Sequence, residues 1–233
     1  MQNEMMHRPV VQDNVLHYLR HNQPLGISKA TEEIKTIAME NNVPIIPEET
    51  VAFFNFFFKQ RPVKNLLEIG TAYGYSASMF HDFLPDAHIT TIERFDLMID
   101  YATSHFQKYE LTDSITLLSG QAQDILPTLE TAAYDCIFMD CAKAKYVEFL
   151  PECLRLLPQH GCLMIDDVFQ AGTVFEADET ISRGARKIHK RLKQLLDVVH
   201  QTNGLTSSLL PLGDGLLMIS KDKEDIVLDL HLD

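Results

Sequence analysis

From Asn65 onward, strand-length apolar runs alternate with helix-forming stretches, and this alternation limits the chain to few folds. The runs fall at 65–69, 88–92, 114–119, 134–139 and 161–165. Repeated strand–helix units call for a parallel sheet with helices on both faces. A long helix is expected from about Ile181 to His200, and the pattern then changes. Leu205-Thr-Ser-Ser-Leu-Leu-Pro and Leu216-Leu-Met-Ile-Ser are joined by Gly213-Asp-Gly215, which reads as an antiparallel hairpin. The expected fold is α/β and Rossmann-like, a seven-stranded, mostly parallel sheet ending in an antiparallel hairpin. One domain should span residues 1–233, with about 1–60 as a helical N-terminal cap and about 61–233 as the sheet and its helices.

Within the cap, residues from about Asn14 to Gln60 have helical character. Ser28 is placed to cap one helix, and Pro47-Glu-Glu-Thr starts another with proline in its first turn. The second of these carries Phe53, Phe54, Phe56, Phe57 and Phe58. So dense an aromatic stretch is read as core or subunit interface rather than a water-facing surface, and a homodimer is expected.

The first strand runs into Leu66-Leu-Glu-Ile-Gly-Thr-Ala-Tyr-Gly-Tyr-Ser-Ala77. Glu68 lies near the strand's end, and Gly70 and Gly74 bracket a short loop before a helix. A loop of this kind lies against a nucleotide-like ligand at the carboxyl end of a strand. Its Gly-x-x-x-Gly spacing matches neither the dinucleotide fingerprint nor the lysine-bearing triphosphate loop. Without Lys or Arg, the loop suits a ligand that has no phosphate. S-adenosylmethionine, a nucleoside joined to a sulfonium amino acid, is such a ligand. Ile89-Thr-Thr-Ile-Glu93 follows, a second strand ending in an acid where ribose hydroxyls would lie.

Two further strands end in acids: Tyr134-Asp-Cys-Ile-Phe-Met-Asp140 and Gly161-Cys-Leu-Met-Ile-Asp166-Asp167. The carboxyl ends of neighbouring strands open onto one crevice, so Asp140, Asp166 and Asp167 are expected to converge there. Three carboxylates together repel one another unless a cation lies between them. Oxygen ligands alone favour a hard ion, Mg²⁺ first and then Ca²⁺ or Mn²⁺. The bland alternative is that Asp166-Asp167 caps the next segment. Lys143 lies three residues beyond Asp140. Beside a divalent cation and a sulfonium it would accept a proton from a metal-bound hydroxyl; alone it would be a surface lysine.

Composition excludes several classes. No run of about eighteen apolar residues occurs, so no transmembrane helix is expected. The first twenty residues lack a signal-peptide core, and a cytoplasmic location is expected. The four cysteines, at 136, 141, 153 and 162, form no Cys-x-x-Cys pair, so zinc-finger or redox spacing is absent. Cys136 and Cys162, in apolar strand-like runs, are read as small buried residues with reduced thiols. A net charge of −13 argues against non-specific nucleic-acid binding by the whole surface.

Taken together, these residues resemble the cation-dependent O-methyltransferases, the family of the catechol and caffeoyl-CoA enzymes. The resemblance covers about Val43 to Ser220 and implies a class I methyltransferase fold. Within that family the chain is similar to bacterial tRNA 5-hydroxyuridine methyltransferases. Val43-Pro-Ile-Ile46, Leu67–Ala77, Asp140-Cys-Ala-Lys143-Ala-Lys-Tyr146 and Leu210-Pro-Leu-Gly-Asp-Gly-Leu216 carry that likeness. The resemblance implies cofactor contacts at Ile46, Ser76, Glu93, Gln121, Ala122 and Asp140. It also implies metal ligation by Asp140, Asp166 and Asp167, with Lys143 as base. Two positions depart from the family pattern: Asp167 stands where Asn is frequent, and Gln121 where the tRNA-modifying relatives often have an acid. Such a metal prefers an acceptor with two adjacent oxygens, which both a catechol and 5-hydroxyuridine have.

The basic segment bears on that choice. Arg183, Arg186, Lys187, Lys190, Arg191 and Lys193 occur without an intervening acid in a strongly acidic chain. At helical spacing, Ile181, Ala185, Ile188, Leu192, Leu195 and Val199 share the opposite face. The stripe suits a phosphate backbone, with the tRNA anticodon loop as the expected substrate and Arg183, Arg186, Lys187 and Lys190 as its contacts. A solvated amphipathic face is the ordinary alternative. A small-molecule phenol methyltransferase and a non-catalytic cofactor-binding protein are the competing functions.

Overall fold

A computed structural model describes residues 12–230. The first eleven residues of the expected N-terminal cap, and residues 231–233, lie outside the described part. Three helices precede the sheet: α1 (Asp13–Asn22), α2 (Lys29–Glu40) and α3 (Glu48–Gln60). The Ser28 hydroxyl accepts the Thr31 N–H and so caps α2 as its position predicts. Arg20 of α1 donates twice to Glu49 of α3, at 2.9 Å each, which ties the first helix to the third.

The remaining elements follow as β1 (Asn65–Ile69), α4 (Tyr75–Phe83), β2 (His88–Glu93), α5 (Asp96–Lys108) and β3 (Ile115–Ser119). After them come α6 (Ala122–Ile125), β4 (Cys136–Met139), α7 (Tyr146–Leu156) and β5 (Cys162–Ile165). The chain ends in α8 (Arg186–Gln201), β6 (Leu205–Leu210) and β7 (Leu216–Lys221). The seven strands form one sheet in the order β3-β2-β1-β4-β5-β7-β6, with the first five parallel and β7 antiparallel to both its neighbours. Strand ends are trimmed relative to the sequence reading, with β4 starting at Cys136 and β5 at Cys162.

Alternate strand residues face opposite layers. Leu67, Ile69, Ile137, Met139, Leu163 and Ile165 pack towards α7 and α8. Leu66, Cys136, Phe138, Cys162 and Met164 face the layer of α2–α5. In that layer Phe54 meets Phe138 edge-on at 5.6 Å and Phe80 at 5.6 Å. The Phe-rich helix is therefore core on one side only. Phe54 and Phe58 are buried, Phe53 and Phe57 are half-buried, and Phe56 is 67% exposed in the single chain, so the core alternative holds for part of the stretch only.

A second correction concerns the basic segment. Its helix begins at Arg186, not near Ile181, and Arg183 lies on the preceding turn. The reason is local. Residues 178–180 form a separate short turn, and buried Ile181 anchors the connection before α8 can start. Ala185 and Ile188 are half-buried, while His189 joins the buried face. Among the described residues no helix is long and apolar enough to cross a membrane.

Candidate active site

The strand order turns at β1, which pairs with β2 on one side and β4 on the other. At such a switch point the loops leave the sheet in opposite directions and a crevice opens between them. A cavity of about 470 Å³ lies there. Ile46, Gly70, Ser76, Glu93, Gln121, Ala122 and Asp140 line it. These seven expected cofactor residues come from five separate segments and are brought together by the sheet alone.

Gly70 shows why the loop after β1 must begin with glycine. Its φ is 108°, and a Cβ there would lie 2.0 Å from the Asp140 carbonyl oxygen. The β1–β4 register forces this approach, since Ile69 is opposite Met139 and the Asp140 N–H donates to the Ile69 carbonyl at 3.0 Å. Gly74, at φ 81°, turns the chain into α4, where a side chain would meet the Phe106 ring.

Glu93 is buried at the rim of β2 and organises two loops. One oxygen accepts the Ala72 N–H at 3.0 Å, and the other accepts the N–H groups of Arg94 (2.7 Å) and Phe95 (3.0 Å). Glu68 is placed differently from the expectation. It is fully buried behind the loop and does not line the cavity. Its Oε2 accepts the Thr91 hydroxyl, Oε1 has no partner in hydrogen-bond geometry among the described residues, and the Ser76 hydroxyl nearby favours the charged form. Burial, reinforced by the negative charges of Asp140 and Glu93, pushes its pKa up to about 8.

Sequence reasoning missed the cavity's aromatic edge. Phe95 and Met98 line the wall beyond Glu93, and the Arg94 guanidinium lies 4.3 Å above the Phe95 ring. Their position immediately after a strand-end acid was the available signal. Phe95 remains 56% exposed, an apolar face turned to the opening.

Beyond Asp140 the expected acidic triad is present but not gathered. Among the described residues no group of three His, Cys, Asp or Glu side chains is arranged to hold a metal ion. The local backbone explains this. Asp166 Oδ1 accepts the N–H of Asp167 at 2.8 Å, and Asp167 has a left-handed φ of 60°. Its carboxylate then meets the Lys143 ammonium at 3.2 Å. The donor chemistry nevertheless suits a hard cation. Burial and the charge of Asp167 raise the Asp140 pKa to about 6, and burial with the charges of Asp140 and Asp167 raises that of Asp166 to about 8. The charge of Asp167 acts on Asp140, and those of Asp140 and Asp167 act on Asp166, a repulsion that positive charge would relieve although the three side chains do not close into a ligand set.

Lys143 also pairs with Asp214, at 3.3 Å, a residue of the Leu210–Leu216 passage to which the sequence assigns no role beyond the turn. Lys143 itself does not line the cavity, although Ala142 and Lys145 on either side of its loop do.

The basic residues divide into two sets. Lys193 pairs with Asp178 at 2.8 Å, and Arg191 reaches Glu148 at 3.8 Å. Arg183, Arg186, Lys187 and Lys190 are exposed and make no ion pair among the described residues. Helix α8 packs against the Lys143–Lys145 turn, so Arg186, Lys187 and Lys190 lie on an element that touches the Lys143 loop, with Arg183 on the turn that leads into it.

Fold, cavity and family membership together define an S-adenosylmethionine-dependent O-methyltransferase. The chain belongs to the O-methyltransferase family, whose model matches residues 27–222. It is 29% identical over 175 residues to O-methyltransferase ankF of Aspergillus thermomutatus, covering 70% of this chain and 73% of that one. It is 33% identical over 135 residues to a catechol O-methyltransferase of Niastella koreensis, covering 55% and 61% respectively. Among solved structures, the SAH-bound Podospora anserina methyltransferase PaMTH1 superposes with a TM-score of 0.78 at 26% identity, over 94% of this chain and 96% of that one.

Proposed function

We propose that the protein methylates the 5-hydroxyl of 5-hydroxyuridine in the anticodon loop of tRNA, giving 5-methoxyuridine. The observation that carries the substrate choice is the exposed set Arg183, Arg186, Lys187 and Lys190, on and just before the helix that packs against the Lys143–Lys145 turn, in a chain of net charge −13. A phosphate backbone has use for that set and a neutral phenol has none. An anticodon-loop base is single-stranded and can be splayed into a pocket without melting a duplex.

In this reading the nucleoside of S-adenosylmethionine lies between Ile46 and Phe95, its ribose against Glu93 and its adenine edge at Gln121 and Ala122. The cation-free loop of Gly70–Ser76 accommodates the uncharged part of the ligand, and nearby carboxylates suit its sulfonium. The methyl group moves in one in-line displacement, so the work of the protein is to hold donor and acceptor at contact distance. Lys143, once its ammonium has released a proton to solvent, takes the acceptor's proton as a neutral amine, and the carboxylates of Asp167 and Asp214 beside it hold the ammonium so formed. Asp140, Asp166 and Asp167 would hold Mg²⁺ or another hard divalent ion, which when bound acidifies and orients the acceptor hydroxyl. We also propose that the protein works as a homodimer, on the strength of the exposed Phe56 beside half-buried Phe53 and Phe57.

A second reading, methylation of a small catechol-like phenol, draws on the name of the Niastella relative. Purified protein, labelled S-adenosylmethionine and either tRNA carrying 5-hydroxyuridine or catechol separate the two. Label in tRNA, lost on adding chelator and restored by Mg²⁺, is the expected result. Label in catechol alone overturns the tRNA reading, and full activity in chelator overturns the metal.

A further inference from the structure

The hairpin turn between β6 and β7 does more than reverse the chain. Asp214 extends both carboxylate oxygens to other loops. Oδ2 lies 3.3 Å from Lys143 Nζ, on the loop after β4. Oδ1 accepts the N–H of Ala171 at 2.7 Å, on the loop after β5. The backbone of the same turn holds the second loop again, because the Asp214 carbonyl accepts the Phe169 N–H at 2.8 Å and the Gly215 carbonyl accepts the Val168 N–H at 3.0 Å. Gly215, at φ 92°, leaves no space for a side chain, since a Cβ would lie 2.3 Å from the Phe169 ring.

The loop so held is an unusual one. Asp167, Gln170 and Ala171 all have left-handed backbones, with φ of 60°, 51° and 53°, and Gly172 follows at 82°. Side chains other than glycine disfavour that region, so such a run persists only where its surroundings over-determine it. The turn supplies that support. It also fixes the far end of a lysine side chain that has four rotatable bonds and, unheld, many positions.

We infer that Asp214 is a positioning residue for methyl transfer, holding the Lys143 amine and the Asp167–Gly172 loop in register at the acceptor side of the site. The inference rests on the proposed role of Lys143 and adds to it a residue outside the acidic strand ends. Asp214 does not line the cavity and acts through Lys143.

A double-mutant cycle tests this, with methyl transfer to tRNA carrying 5-hydroxyuridine and to catechol as the two assays. Cofactor affinity by calorimetry and thermal stability are measured on each variant. Asp214→Asn keeps an oxygen for the Ala171 N–H but removes the charge beside Lys143. It is expected to lower kcat about tenfold, with cofactor affinity within about twofold of the parent. Lys143→Ala is expected to lower kcat by about 10²–10⁴. The double variant should match Lys143→Ala within about twofold, because Asp214 has nothing left to position. Losses that multiply in the double variant, or an Asp214→Asn enzyme with unchanged kcat, overturn the inference and leave the role of Lys143 intact. An unimpaired Lys143→Ala enzyme overturns that role, and the inference with it.

Discussion

Glu68 and Glu93 are both strand-end glutamates and both face the same loop, yet they do different things. Glu93 has its charge satisfied by three backbone N–H groups and stands at the cavity wall. Replacing it with Ala should weaken S-adenosylmethionine binding by about 1–3 kcal/mol, the range for a hydrogen bond to a charged group. Calorimetry on a folded variant checks this, and unchanged affinity removes Glu93 from the site. Glu68, by contrast, is buried behind the loop with a pKa of about 8, raised above its ordinary 4.5. A carboxyl whose folded pKa is raised is most favourable in its neutral form. Its contribution is complete below about pH 4.5 and is lost as pH rises through 8. Glu68→Gln cannot ionise, so it should gain on the parent across that window, by at most about 5 kcal/mol at 1.36 kcal/mol per pKa unit. Denaturant unfolding of both proteins at pH 5 and pH 8 reads the difference. A constant gap between them would show that Glu68 is ionised throughout. The sequence placed both acids near the ligand, because position along a strand was legible. Which of them meets the cavity depends on the pleat and on Thr91, a partner 23 residues away.

Helix α8 is the element on which the substrate claim depends. Its buried residues, Leu192, Leu195, Leu196 and Val199, follow the helical period and were legible as a face. Two things were not. The helix starts five residues later than the pattern suggests, because the pattern of apolar positions continues through a turn. Two of the six cations are also paired with acids from other parts of the chain, Glu148 and Asp178, which no local reading reveals. Substituting Arg183, Arg186, Lys187 and Lys190 together by Gln should weaken tRNA binding. For each single-stranded phosphate that these cations no longer neutralise, the slope of log affinity against log salt should fall by about 0.7. Binding isotherms at several salt concentrations measure it, and an unaltered slope would make this face a solvated one.

For the whole molecule, the alternation of strands and helices was sufficient to place a mostly parallel sheet closed by an antiparallel hairpin. The strand order brings the ends of β1, β2 and β4 to one crevice, and seven of the eight cofactor positions named from sequence line it. The acceptor side was less legible. Asp214 comes from a hairpin some 70 residues beyond Lys143, and a Gly-Asp-Gly turn carries no mark of an ion pair across the site. Nor does a sequence show that Asp167, with its left-handed backbone, pairs with Lys143. The central claim is the identity of the methyl acceptor, and nucleoside mass spectrometry of total tRNA from cells with and without this gene tests it most directly. Loss of 5-methoxyuridine with matching gain of 5-hydroxyuridine, reversed by the intact gene and not by Lys143→Ala, is the predicted result. An unchanged ratio of the two nucleosides, in cells that make 5-methoxyuridine, would contradict it.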